Sequence, residues 1–368
     1  MTNNIRQKAA SCIIFLSLIL FGCSGTEEIA PKINVAIFMP LSGKNADHGK
    51  RLSSLIKIGI EDGLEGHINL VTYDVPDEES AKIMMDKVIA KKTKIILGPL
   101  FSDTTSAIAE KAEKNGITVI SLSNNPVLAG NSIYVLGHAP MKQTERLVSY
   151  FTNKGHKDFI LLLPKTRYSS TITEVVKDIL LSAEANPMQP YYYDSPSELP
   201  KILDEILAAV DKINEEADSL KPIIYTAGDA EDTKLILSAL KQHNLDQKAI
   251  IAGDGRIDID FNEPISLTFT GSLNYKNYQL DKKAKENAGI SHLTLLDLLA
   301  YDAGRMTAHY IGHGLDYELF VSRLNKETNY TGASGAVKFH DNIAVRKYDI
   351  IERKGTDYTT IDKDQSGL

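Results

Sequence analysis

The sequence predicts an α/β protein of two lobes, each a mostly parallel sheet flanked by helices. Three observations carry this. Short β-branched runs alternate with amphipathic stretches, the pattern of βαβ units around a parallel sheet. The series ends near Ala139-Pro140 and then restarts, so two βα series of similar length imply two lobes. A chain of 368 residues with 43% apolar content is long enough to bury two cores without a disulfide.

The elements follow in order. Lys32 to Met39 is a near-continuous apolar strand ended by Pro40-Leu41-Ser42-Gly43, and Asp47 to Asp62 reads as a helix with Leu52, Leu55, Ile56 and Ile60 on one stripe. His67 to Tyr73 is the next strand, and Pro76-Asp77 opens a helix carrying Ile83, Met84, Val88 and Ile89. The third unit is strand Lys94 to Leu97, loop Gly98 to Ser102, and helix Asp103 to Asn115, with Gly116 as its left-handed stop. Strand Ile117 to Ser121 closes the first series.

The second series begins with helix Met141 to Lys154, stopped by Gly155, and the strongly apolar strand Phe159 to Leu163. Helix Ser169 to Ala185, strand Met188 to Tyr193 and the long helix Glu198 to Ala217 come next. Strand Ile223 to Tyr225, helix Ala230 to His243 and strand Ala249 to Ala252 complete it. The segments that follow, helix His292 to His313 and a β-rich stretch from Gly335 to Glu352, fit neither series by order alone.

Before the first strand lies a different kind of segment. Arg6 and Lys8 precede an apolar stretch from Ala9 to Phe21, about 20 Å long as a helix and too short for a hydrocarbon core of about 30 Å. Leu20-Phe21-Gly22-Cys23 resembles a lipobox, so residues 1–22 read as a lipoprotein signal peptide, Cys23 as the lipidated residue and 23–31 as a polar tether. This expects a globular part held at the membrane of a bacterial cell envelope and facing the periplasm. Ser24, rather than Asp, after the cysteine points towards the outer membrane. The chain's two cysteines are Cys12, inside the signal, and Cys23, which leaves no pair for a disulfide in the mature protein. A formal charge of −7 argues against nucleic acid as a partner.

Enzyme signatures do not emerge. The sequence holds no Walker A loop, G-x-G-x-x-G, G-x-S-x-G or H-E-x-x-H pattern. Asp254, Asp258 and Asp260 do not follow the ligand order of a calcium loop, and His309 with His313 has no third ligand nearby. No catalysis, cofactor or metal is expected. What the sequence does supply is small polar groups just past strand ends, where an open parallel sheet forms its binding crevice: Ser42, Ser102 and the run from Ser121 to Asn125. Hydroxyls, an amide and backbone donors there can hold a carboxylate, with Asp254 able to pair with an ammonium and Tyr168 to cover a ligand.

These residues carry a resemblance. Met39-Pro40-Leu41-Ser42-Gly43, the stretch Ile95 to Ser102, Ile120-Ser121 with its polar loop, Tyr301-Asp302-Ala303, and Thr331-Gly332 through Gly335 to Phe339 occur in order. Together they resemble the leucine-binding-protein branch of the type I periplasmic binding proteins, from Val35 to about Glu352. The wording Gly98-Pro99-Leu100-Phe101-Ser102 also resembles the penicillin-binding-protein activator lipoproteins, which use the same fold as regulatory partners of cell-wall synthases.

The resemblance implies the two-lobed type I periplasmic binding protein fold with three crossovers, near Pro140, Tyr275 and Tyr330. Lobe one would then hold 32–140 with 276–329, and lobe two 141–275 with 330–368. Ser102 matches the hydroxyl that anchors a ligand carboxylate, Ser123 and Asn125 the contacting loop, Tyr168 the covering aromatic and Asp254 the ammonium partner. Thr226-Ala227-Gly228-Asp229 departs from the family by lacking a second covering aromatic, and Ser123-Asn124-Asn125 is not the usual small-small-threonine loop. The implied function is binding of a small amino-acid-like or peptide-like ligand for an ABC permease. The alternative is an activator of a penicillin-binding-protein synthase that works through protein contacts.

Overall fold

The computed structural model describes residues 32–63, 68–138, 140–187, 189–216, 219–228, 230–253, 265–312, 317–326 and 330–365. Cys23 with its leader and tether lies outside them, as do Asp254, Asp258, Asp260, His313 and the side chain of Tyr168.

The first lobe begins with β1 (Ile33–Met39), α1 (Ala46–Asp62), β2 (Ile68–Asp74), α2 (Glu78–Ala90), β3 (Ile95–Leu97), α3 (Ser102–Lys114), β4 (Thr118–Ser121) and β5 (Ile133–Val135). Successive residues of a strand face opposite sides of the sheet. Val35, Ile37 and Met39 accordingly join one core with Leu52, Leu55 and Ile56 of α1, while Ala36 and Phe38 join another with Ala81, Met85, Val88 and Ile108 of α2 and α3. Both faces are covered, which is why β1 reads as a continuous apolar run rather than an alternating one. On α2, Ile83, one of the apolar residues read on this helix, is 49% exposed. The helix turns Ala81, Met85 and Val88 inward instead, and a residue two positions after Ala81 points away from that face.

The second lobe runs α4 (Pro140–Asn153), β6 (Asp158–Pro164), α5 (Arg167–Ser182), β7 (Asn186–Pro187), β8 (Tyr191–Tyr193), α6 (Leu199–Asn214), β9 (Ile223–Thr226), α7 (Ala230–Gln242), α8 (Leu245–Lys248), β10 (Ile250–Gly253) and β11 (Ser266–Gly271). Phe159, Leu161 and Leu163 of β6 pack with Leu147, Val148, Ile172 and Val176, whereas Ile160 and Leu162 face Leu203, Ile206 and Leu237. The same two-sided logic therefore builds both lobes.

The chain then returns through α9 (Leu280–Ala288), α10 (Leu295–Ile311), α11 (Tyr317–Lys326), β12 (Tyr330–Gly332), β13 (Gly335–His340) and β14 (Ile343–Arg346), and ends with β15 (Asp349–Lys354) and β16 (Asp357–Asp362). Strand order is β12-β13-β14-β5-β4-β3-β1-β2 in one sheet and β16-β15-β11-β10-β9-β6-β7 in the other, with β8 also on β6. The β1 to β5 pairs are parallel, and β12 to β14 form an antiparallel extension joined to β5 through Ile343 and Val135.

This order moves the boundary expected near Tyr330. Residues 330–346 belong to the first sheet, and the chain crosses to the second between Arg346 and Asp349. The cause is packing. Tyr330 lies edge-on to Tyr310 of α10, ring centroids 6.1 Å apart, and Val337 and Ala344 share the core of α10 and α11. The other two connections between sheets run through 136–138 and Ser272-Leu273.

Helix α10 finds its place against α1. Gly304 approaches so closely that a Cβ there would stand 2.1 Å from the Ile56 carbonyl oxygen, and one at Gly59 would stand 2.1 Å from that of Tyr301. Two polar links fix the pair. Arg51 reaches both carboxylate oxygens of Asp297, at 2.8 and 2.6 Å, and the Tyr301 hydroxyl donates to Asp62 at 2.7 Å. Burial, first of all, pushes the Tyr301 phenol far above its ordinary pKa, so it remains a donor.

Candidate functional site

The candidate site is built from the turns that follow β1 to β4, all at the carboxyl edge of the first sheet. In the order β2-β1-β3 the chain leaves β1 towards one side and β3 extends the other, so these turns meet at a topological switch point, where open α/β sheets bind ligands.

Each turn is held in place. After β1, the Leu41 and Ser42 amides donate to Asp74 Oδ1 at 2.7 and 3.1 Å, which ties this loop to the end of β2. After β3, Gly98 adopts φ +94°, a left-handed conformation that favours glycine, and a Cβ there would lie 2.3 Å from the Phe38 carbonyl oxygen. The turn delivers Phe101 as the N-cap of α3, its carbonyl accepting the Thr104 and Thr105 hydroxyls at 2.9 and 2.8 Å.

Hydroxyls then link α3 to the loop after β4. Thr105 Oγ1 meets Ser121 Oγ at 2.9 Å, and Ser102 Oγ meets Ser123 Oγ at 2.8 Å. Ser123 Oγ also accepts the Asn125 amide at 3.2 Å, and Asn125 Oδ1 accepts the Val127 amide at 3.1 Å. Ser123 is 3% exposed while Ser102 is half-buried, so the pair sits at the rim of the core with Ser102 outermost.

Of the residues singled out from the sequence, the structure therefore brings Ser102, Ser123 and Asn125 together. Ser42 is exposed and tied to Asp74 rather than to the serine pair. Tyr168 is the second residue of α5, in the other lobe, and Asp254 follows β10 outside the described residues. Ser121, from the run expected at the site, holds the turn through Thr105; Asp74 and Thr105 were not singled out from the sequence, yet they also hold the turns. Their signal was position: Asp74 ends a strand, and Thr105 lies in the first turn of the helix that follows one.

Chemically the arrangement suits an anion. Ser102 opens α3, whose first-turn amides and dipole favour negative charge. The Ser102 hydroxyl can turn from Ser123 to a ligand oxygen at the cost of one hydrogen bond. Among the described residues no group of three or more His, Cys, Asp or Glu side chains is placed to hold a metal ion. None of the described helices is long and apolar enough to cross a membrane.

Comparison with known proteins bears on the fold. Residues 32–356 match the model of the periplasmic binding protein family. An uncharacterized protein of Rickettsia prowazekii (strain Madrid E) is 41% identical over 358 residues, covering 96% of both chains. The penicillin-binding protein activator LpoA of Photobacterium profundum is 26% identical over 157 residues, 41% of this chain and 25% of that one. Among solved structures, the leucine-binding protein LivK of Thermotoga maritima aligns with TM-score 0.60 and 18% identity, covering 89% of this chain and 97% of its own. A solute-binding protein of an ABC transporter from R. palustris, in complex with 4-hydroxybenzoate, aligns with TM-score 0.65 and 16% identity, covering 92% and 98%. Those two structures share the two-lobed fold with this chain.

Proposed function

The chain belongs to the periplasmic binding protein family, and from that premise we propose that it is a lipid-anchored binding protein of the cell envelope that serves an ABC-type uptake system. Its ligand is a small amino-acid-like or peptide-like molecule carrying a carboxylate. The observation that supports this best is the Ser102–Ser123 hydroxyl pair, 2.8 Å apart at the start of α3. Solved relatives were crystallised with leucine and with 4-hydroxybenzoate, both carboxylates. In this reading Ser102 anchors the carboxylate, Ser123 and Asn125 shape the loop beside it, and Ser42 lines the neighbouring turn. Tyr168 and Asp254 supply the cover and the ammonium partner from the second lobe, and Cys23 carries the lipid.

A thermal scan tests the reading. A ligand at a hundredfold excess over its Kd stabilises the folded state by about 2.7 kcal/mol. At least one member of a panel of amino acids, aromatic acids, small peptides and muropeptides should raise the Tm. Flat curves across the whole panel would sink the transport reading.

The partial match to LpoA favours a second reading, in which the lobes present a surface to a membrane-anchored penicillin-binding protein. Crosslinking in whole cells separates the two. Recovery of a permease without a synthase leaves uptake; recovery of a synthase without a permease leaves regulation.

A further inference from the structure

Two stretches singled out in the sequence, Tyr301-Asp302-Ala303 and Thr331 to Gly335, meet in the structure. The tight connection from β12 to β13 sits on Asp302 of α10. That carboxylate, 0% exposed, accepts the Ala333 amide at 2.6 Å, the Ser334 amide at 2.8 Å and the Ser334 hydroxyl at 2.5 Å. Gly332 makes room for it, since a Cβ there would stand 2.3 Å from Asp302 Oδ1.

All three connections between the sheets converge on this turn. Arg346 closes β14, just before the third connection, and donates Nη1 to Ser334 Oγ at 2.8 Å and Nη2 to the Leu136 carbonyl, in the first connection, at 2.6 Å. Asn274, just past Ser272-Leu273 of the second connection, donates Nδ2 to the Gly332 carbonyl at 2.5 Å, and the Ser272 hydroxyl accepts the Asn274 amide at 3.1 Å. The Lys347 amide, in the third connection, donates to Ala336 just past the turn at 3.2 Å. Ser334 is the relay: its hydroxyl donates to Asp302 and accepts from Arg346.

We propose that the turn Gly332–Gly335, seated on Asp302, is the hub on which the two lobes pivot, with Asp302, Ser334 and Arg346 as positioning residues that fix the axis. A well-packed apolar plug would stabilise the turn at least as well, because buried charges lose hydration. Arg346 is only 5% exposed, and its Nε has no hydrogen-bond partner. What the polar net supplies is direction: each hydrogen bond admits a narrow geometry, so three connections tied to one turn share one pivot during a hinge motion. Burial, the largest influence on each, raises the Asp302 carboxyl and lowers the Arg346 guanidinium from their ordinary pKa values.

Hydrogen–deuterium exchange on the full chain tests the hub. Ser334→Ala should raise amide exchange about tenfold in 136–138, 272–274 and 346–348 together, while the cores of β3 and β10 stay slow. Asn274→Ala cuts one link and should loosen 272–274 alone. Thr307→Ala, which removes another buried hydroxyl of α10 bonded to the Ala303 carbonyl, should leave all three connections unchanged. Exchange that rises only within 332–335, or rises equally in Thr307→Ala, overturns the proposal. If Ser334→Ala does not fold, Asn274→Ala compared with Thr307→Ala still decides, since an unchanged 272–274 contradicts the hub.

Discussion

Ser102 and Ser123 lie 21 positions apart, follow different strands, and come within 2.8 Å because β3 and β4 are parallel neighbours whose turns leave the same edge of the sheet. Their place at strand ends was legible from the alternation of strands and helices. Their direct contact was not, because it depends on register, which no local pattern in the sequence fixes. Asp74 shows the same limit from the other side: a single carboxylate after a strand looks like any turn residue until two amides are found on it. Removing a half-buried hydroxyl costs about 1 kcal/mol of stability. Ser102→Ala should therefore melt close to the parent protein while its response to ligand largely disappears in paired thermal scans. Ser123→Ala should cost more, since its oxygen also accepts the Asn125 amide.

Among the elements, long periodic segments were the readable ones. Helix α10, expected from 292 to 313, spans Leu295–Ile311 because Thr294 and Asp297 form a capping box that sets its start. Short or polar elements escaped. β5 has three residues, α9 contains five charged residues in Leu280–Ala288, and the hairpin strands after Tyr330 join the first sheet by packing on α10 and α11, which no local pattern announces. The contact of α1 with α10 makes a sharp test. Gly304→Ala gains helix propensity, about 1 kcal/mol, yet places a Cβ 2.1 Å from a backbone oxygen. Backbone must move, so the net result should be a loss of about 1–3 kcal/mol in denaturant unfolding. At the start of α2, hydrogen bonds from the backbone and side chain of Ser80 hold the Asp77 carboxyl below its ordinary pKa. A lowered value in the folded state means a contribution present above the unfolded value of about 3.9 and lost as pH falls through the folded one. The Tm gap between parent and Asp77→Ala should narrow as pH drops from 7 to 3.

For the whole molecule, two βα series were enough to announce two lobes, and the resemblance implied that late segments are shared between them, but where the last crossing falls was visible only through strand order. The third connection lies at Lys347-Tyr348 rather than near Tyr330, so β12 to β14 extend the first sheet. The proposed anchor at Cys23 belongs to this scale as well. Cys23→Ser should release the protein from the membrane fraction with its melting curve unchanged, and retention of the variant in membranes would contradict lipidation at that residue. The turns after β3 and β4 are proposed to bind a carboxylate ligand. Titration calorimetry of the parent and Ser102→Ala, with the compound that gives the largest thermal shift, tests this proposal most directly. Saturable binding that weakens at least tenfold in the variant is expected. Equal affinity in the two proteins would place the ligand elsewhere and contradict it.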